Sequence, residues 1–159
     1  MNAAVLTVSD RVSRGAAEDT SGDELARRLA ADGYEVDRRV VPDEAPEIAA
    51  AIAELAANAS VVLTTGGTGV APRDVTPEAT RTVLEREVPG IAEALRADAV
   101  TKTPHGLLSR GTAGIVGRAL VVNLPGSPGG CRDGYALLRP ALPHALALIA
   151  DEPTRHRQT

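Results

Sequence analysis

The sequence predicts an α/β domain of three layers, a mixed and largely parallel sheet with helices on both faces. Three observations carry that prediction. Apolar, β-branched runs alternate with amphipathic helical stretches three times from the N-terminus, the order that builds parallel strands through crossover helices. The third run, SVVLTT at residues 60–65, has an unbroken apolar centre, as a strand covered on both faces requires. Two later apolar runs flank Gly117-Arg118, which reads as a hairpin and adds an antiparallel element.

Each element has its own local reason. AAVLTVS, residues 3–9, is a short buried strand followed by the polar loop SRGAAEDTSG. Ser21 and Glu24 have capping-box spacing and open a helix that carries Leu25 and Leu29 on one face; Gly33 is placed to end it. Residues 34–41, YEVDRRVV, alternate in polarity and predict a more exposed strand. Ile48, Ile52 and Leu55 recur at helical spacing in the next stretch. Thr76 is placed to cap a helix with Pro77 in its first turn, running to about Val88. Pro89-Gly90 breaks the chain before a helix bearing Ile91, Ala94, Leu95 and Ala99. After the hairpin comes a second glycine loop, PGSPGG, and then a helical stretch from Tyr135 to Ile149, interrupted by Pro140 and Pro143. Residues 1–150 read as a single domain and 151–159 as a polar tail; with no long stretch after the last helix, no second domain is expected.

Composition narrows the function. At 159 residues the chain can bury a full core. It has no Phe or Trp, and Tyr34 and Tyr135 are its only aromatics, which removes the stacking platform of a single-strand nucleic-acid binder. A net charge of -4 argues against a phosphate-backbone partner. No apolar stretch is long enough to span a membrane, and MNAAVLTVSDR lacks the basic-then-apolar pattern of a leader. The lone Cys131 excludes an internal disulfide and a multi-cysteine metal site, and reads as a packing residue. His105, His144 and His156 lack ligand spacing, and His144 reads as structural. The expectation is a soluble, cytoplasmic protein with neither a nucleic-acid nor a membrane partner, open to small phosphorylated ligands.

Two glycine loops follow apolar strands: TTGGTG after SVVL, and LPGSPGG after ALVVN. Glycines let backbone N–H groups approach an anion, and a following helix N-terminus adds partial positive charge. Thr64, Thr65, Thr68 and Ser127 supply hydroxyls. The alternative is a pair of tight turns. Neither loop is a P-loop, since no Lys follows the glycines, and Pro72 ends any dinucleotide fingerprint. Asp10, Asp43 and Asp74 stand at or just beyond three successive strand ends. A carboxylate beside a phosphate loop repels the ligand unless a cation intervenes, and Mg2+ is commonly held by one or two carboxylates plus phosphates. Asp74 reads equally as a turn partner of Arg73, and Asp43 as a helix N-cap. Ser9 accompanies Asp10 at the first strand end, and Ser109 and Arg110 in TPHGLLSR are anion-contact candidates. Arg110 is also readable as half of a surface ion pair.

With these residues assembled, TTGGTGVAPRDVTPEAT resembles the signature of the molybdopterin adenylyltransferase family, MogA, MoaB and the G domain of gephyrin. TVSDRVSRG, VVPDE, EREVPGIAEALR, TPHGLLSR, LVVNLPGSPGG and PALPHALALI follow in the family's order. The resemblance implies a MogA/MoaB-like fold and transfer of AMP from ATP to molybdopterin with Mg2+, releasing pyrophosphate. It implies a homotrimer and a molybdate-insertion protein to receive the product. The family's two essential acids fall on Asp43 and Asp74, and the chemistry of the site has them organise Mg2+, as its ligands, or the reacting groups. Its binding segments fall on Thr65, Gly66, Gly67, Thr68 and Gly69, and on Pro125, Gly126 and Ser127. The chain departs from the pattern at Gly129-Gly130, where relatives often carry Lys; its only lysine is Lys102. The competing expectations are a non-catalytic or weakly active binder of molybdopterin or nucleotide, and a domain related to those of molybdate-insertion or nucleotide-pyrophosphatase proteins. Acids lining the site favour the enzyme over the binder.

Overall fold

In the computed structural model, β1 (Asn2–Val8) sends Ala3 and Val5 to one face of the sheet and Ala4, Leu6 and Val8 to the other. Successive side chains of a strand point opposite ways, so one strand feeds two cores. The chain then runs through α1 (Asp10–Ser13), α2 (Thr20–Ala31), β2 (Glu35–Val41), α3 (Ala45–Ala56) and β3 (Val61–Thr65). Next come α4 (Thr76–Val83), β4 (Arg86–Glu87), α5 (Pro89–Lys102), β5 (Ala113–Val116), β6 (Ala119–Leu124), α6 (Pro128–Leu138) and α7 (Leu142–Ile149). The structure describes residues 1–151, and the predicted polar tail from residue 152 lies outside the described residues.

The six strands form one sheet in the order β2-β1-β3-β6-β5-β4. β2, β1, β3 and β6 are parallel; β5 runs antiparallel to β6, and β4 runs antiparallel to β5 and so in the direction of the other four. Leu25 and Leu29 of α2, Tyr135 and Leu138 of α6, and Leu142 and Leu146 of α7 pack on one face. Ile48, Ile52 and Leu55 of α3 pack on the other with Ala79 of α4. Full burial of a side chain such as Leu25 or Ile48 contributes about 2 kcal/mol each. The predicted three-layer, largely parallel architecture is the observed one. No helix among the described residues is long and apolar enough to cross a membrane.

Four local expectations change. α2 is capped by Asp19, whose Oδ1 accepts from the Gly22 amide at 3.0 Å. Ser21 lies inside the helix, and Glu24 pairs with Arg27 and Arg28 instead of closing a capping box. Thr76 begins α4 without capping it; its hydroxyl donates to the Gly66 carbonyl at 2.9 Å. α4 ends at Val83, and Arg86–Glu87 pairs with Ile115 and Gly114 as an edge strand. That strand has no apolar run to announce it. It exists because Gly114 has no side chain: a Cβ there would lie 2.4 Å from the Arg86 carbonyl oxygen. Finally, α6 starts at Pro128, and Pro143 sits in the first turn of α7, where proline is tolerated.

Candidate active site

The parallel register aligns the strand ends. Val8 stands opposite Val41, Thr7 opposite Thr65, and Thr65 opposite Leu124. The segments that follow β1, β2, β3 and β6 therefore emerge along one edge of the sheet. β2 lies on one side of β1 and β3 on the other, so the chain changes direction across β1, where open α/β sheets form a crevice.

The first glycine loop is shaped by close backbone approach. Gly66 and Gly67 have φ of 98° and 65°, a region that favours glycine. A Cβ on Gly66 would lie 2.3 Å from the Val8 carbonyl oxygen, and one on Gly67 would lie 2.4 Å from the Thr76 hydroxyl. The two glycine loops also touch, since a Cβ on Gly126 would sit 3.3 Å from the Gly66 Cα. The buried Thr65 hydroxyl joins them by donating to the Pro125 carbonyl at 2.7 Å. Cys131 is buried beneath this junction, its thiol 3.3 Å from the Thr65 hydroxyl, and burial pushes its pKa up to about 11. It is the packing residue expected.

The acids form a linked set. Asp10 and Asp43 exchange bonds: the Asp10 amide donates to Asp43 Oδ2 at 2.8 Å, and the Asp43 amide to Asp10 Oδ1 at 3.0 Å. Arg73 clamps this pair, donating to both Asp10 carboxylate oxygens at 2.6 and 3.1 Å, to the Asp43 carbonyl at 3.2 Å and to Glu44 at 2.9 Å. Arg73 thus pairs with Asp10 and Glu44, not with its neighbour Asp74. Asp43 is not a helix cap either, because Glu44 occupies that position in α3 without a side-chain bond. The Asp74 carboxylate folds back to accept from the Ala71 amide through Oδ2 at 2.9 Å.

Burial raises the pKa of Asp43, and the charges of Asp10 and Asp74 add to the rise. Bonding to Arg73 lowers that of Asp10. Both Asp43 and Asp74 face the glycine loop: a Cβ on Gly67 would lie 3.2 Å from Asp43 Oδ1, and one on Gly69 would lie 2.8 Å from Asp74 Oδ2. Among the described residues, no three His, Cys, Asp or Glu side chains gather into a metal-holding group.

A cavity of about 620 Å3 opens beside the loops. Gly67, Thr68, Gly69 and Asp74 line one wall; Ser109 and the second loop, Pro125, Gly126 and Ser127, line another. Ser127 caps α6, accepting from the Gly130 amide at 3.1 Å. Ser9, Asp10, Asp43, Thr65 and Gly66 do not line the cavity, though Asp43 and Gly66 belong to the loop junction beside it. Ser9 caps α1, accepting from the Val12 amide at 3.2 Å. Arg110 is also off the wall. It donates to the Gly69 and Asp74 carbonyls at 2.7 and 2.6 Å and pairs with Glu78, so it holds the loop's shape and has the ion pair that was its alternative reading.

Asn123 lines the cavity and was missed in the sequence. Its amide donates to Thr64 and Thr80 at 2.9 and 3.0 Å and accepts from the Thr112 amide at 3.1 Å. The available signal was a lone amide inside the apolar run ALVVNL, since buried polar groups require partners. Lys102, Asp98 and Asp133 also line the cavity, and helical spacing alone gives no reason to single them out.

Over residues 4–144 the chain matches the family model described as "probable molybdopterin binding domain". The chain belongs to that family. A molybdopterin adenylyltransferase of Helicobacter pylori is 37% identical to this molybdopterin-binding domain, over 91% of the chain and 85% of the relative. Gephyrin of Dictyostelium discoideum is 40% identical over 94% of the chain, but the chain spans only 22% of that protein. It spans 26% of the molybdenum cofactor synthesis protein cinnamon of Drosophila melanogaster. Among solved structures, the molybdopterin biosynthesis enzyme MoaB of Thermus thermophilus superposes with a TM-score of 0.88 at 46% identity, covering 97% of this chain and 99% of that one. The molybdopterin biosynthesis Mog protein of Mycobacterium ulcerans superposes with a TM-score of 0.88 at 39% identity, covering 93% and 98%. The family and fold that the motifs implied are both borne out.

Proposed function

We propose that this molybdopterin-binding domain is a molybdopterin adenylyltransferase of molybdenum cofactor biosynthesis. The observation that carries the reading is the pair of carboxylates, Asp43 and Asp74, directed at one glycine loop beside a cavity sized for a small ligand. The names of relatives matched over nearly their full length support it. In the reaction, a phosphate oxygen of molybdopterin attacks the α-phosphorus of ATP. The bond from that phosphorus to the bridging oxygen breaks, and pyrophosphate leaves. Bringing two anions together needs positioning and charge neutralisation, with no protein nucleophile.

The chain's residues divide that work. Backbone amides of the Gly67–Gly69 segment and the hydroxyls of Thr68, Ser109 and Ser127 hold phosphate oxygens. Ser9 and Asp10 support the acids from behind, and Gly66, Thr65, Pro125 and Gly126 fix the two loops against each other. Each carboxylate has one oxygen in a hydrogen bond, Oδ2 in both cases, which leaves Oδ1 of Asp43 and of Asp74 as donors for a hard cation. Two carboxylates fit Mg2+, which takes its remaining ligands from phosphates and water. When bound there, Mg2+ supplies charge neutralisation to the reacting phosphates. A homotrimer and hand-off of product to a molybdate-insertion protein belong to the same reading.

The test is incubation of the purified protein with ATP, Mg2+ and molybdopterin. Equimolar pyrophosphate and adenylylated pterin are expected, and Asp74→Asn loses about a hundredfold or more in rate. Tight molybdopterin binding without either product would replace the enzyme by a binder.

A further inference from the structure

Lys102 is the one lysine among the seventeen Lys and Arg residues of the sequence, and it lines the cavity. It ends α5, and its ammonium donates to Asp98, one turn back, at 2.6 Å. It also lies 3.5 Å from Asp133, on α6, the helix that begins at the second glycine loop. The ammonium therefore bridges two helices at the cavity. Among the described residues that line the cavity, Lys102 alone carries a permanent positive charge, against the carboxylates of Asp74, Asp98 and Asp133. Arg73 and Arg110, the cations nearest the first loop, are held by the protein's own carbonyls and carboxylates.

A wall with this balance repels an anion unless the lysine answers it. The side chains of Lys102, Asp98 and Asp133 are 46%, 32% and 31% exposed. Pairs so exposed contribute little, about 0–1 kcal/mol each, so exchanging them for a phosphate is cheap. Lysine suits the exchange: it is a compact charge on a flexible stem with three donors.

We propose that Lys102 is the cation that contacts a ligand phosphate in this cavity, with Asp98 and Asp133 holding it when the site is empty. The inference takes from the proposed function only that the ligand carries a phosphate. Two sources share that chemistry, the monophosphate of molybdopterin and the triphosphate of ATP.

Inorganic pyrophosphate, titrated calorimetrically without divalent metal at low salt, reads the phosphate contact whatever the pterin chemistry. Lys102→Met is expected to weaken it about tenfold, one charge-assisted bond. The difference should shrink at high salt. Lys102→Arg should retain most of the binding, and Asp98→Asn should bind as tightly as wild type or more tightly. Parallel titrations with ATP and with molybdopterin identify the source, because only the ligand whose phosphate meets Lys102 loses affinity. Thermal melts confirm that the variants are folded; if Lys102→Met melts early, the Arg and Asp98→Asn variants still decide. The assignment is overturned if wild type binds no pyrophosphate, if folded Lys102→Met binds it equally, or if Asp98→Asn weakens it as much. Wild type that binds pyrophosphate in a Lys102-dependent way but makes no adenylylated pterin overturns the proposed function and keeps the assignment.

Discussion

Asp43 is an acid whose neighbours decide its chemistry. Burial favours its neutral form and the charges of Asp10 and Asp74 push the same way, while the hydrogen bond from the Asp10 amide and, less strongly, the charge of Arg73 pull against them. Its folded pKa is raised, so the stability carried by its protonated form is present below the ordinary aspartate value of about 3.9 and is lost as pH rises through the raised value. Asp10 behaves oppositely: its pKa is lowered by Arg73, so its contribution is present above the ordinary value and is lost as pH falls through the lowered one. If turnover requires ionised Asp43, the acid limb of kcat/KM lies above the ordinary aspartate range. Arg73→Gln should move that limb to still higher pH. Arg73→Lys keeps the charge, leaves the limb in place and lowers kcat about tenfold or more, because it cannot make the forked contacts to Asp10. A pH-rate profile for each variant checks this; identical limbs in wild type and Arg73→Gln would remove Arg73 from control of Asp43. The sequence shows the acids and the arginine but not their pairing. Adjacency suggested Arg73 with Asp74, while the fold sets Arg73 on Asp10, 63 residues away.

Among the elements, the glycine loop after β3 depends most on backbone form. Gly66 and Gly33 both have positive φ, at 98° and 90°, yet of the two only Gly66 is crowded: a Cβ there would meet the Val8 carbonyl, while one on Gly33 would meet nothing within 4 Å. Gly33→Ala should therefore lose about 1 kcal/mol, the conformational penalty alone. Gly66→Ala should lose about 3 kcal/mol or more, since strain and a backbone clash combine. Urea unfolding of both variants measures the difference, and equal losses would mean that the Val8 approach is not a constraint. The strands and helices were legible because their periodicity is local. The two-residue β4 was not, because its cause is the empty space at Gly114, a residue of another strand. The cap of α2 was misread for a related reason: Asp19 is fixed by the Thr7 hydroxyl at 2.9 Å, a contact from β1 that the capping-box pattern does not contain.

At the scale of the whole molecule, the proposed Mg2+ ligands Asp43 and Asp74 lie in loops beside the cavity, and on that proposal the metal serves the reaction and not the fold. Chelation by EDTA should stop turnover while leaving the thermal midpoint within about 1 °C of its value in a scanning calorimetry trace; a structural metal would lower it by several degrees, since about 1 kcal/mol corresponds to 2–4 °C in a domain this size. By itself the sequence determined the layered α/β class, the two glycine loops and the acids at the strand ends, all of which rest on periodicity and turn chemistry within a few residues. The family signature added the names of the proposed substrates. Tertiary structure decided which of these residues share a wall. Sheet order and register bring β1, β3 and β6 side by side, which puts Asn123 on the cavity wall with Lys102 from α5, while Arg110 braces the first loop and Asp43 faces it. Those relations depend on strand pairing and helix packing across long separations in the chain, and no local pattern encodes them.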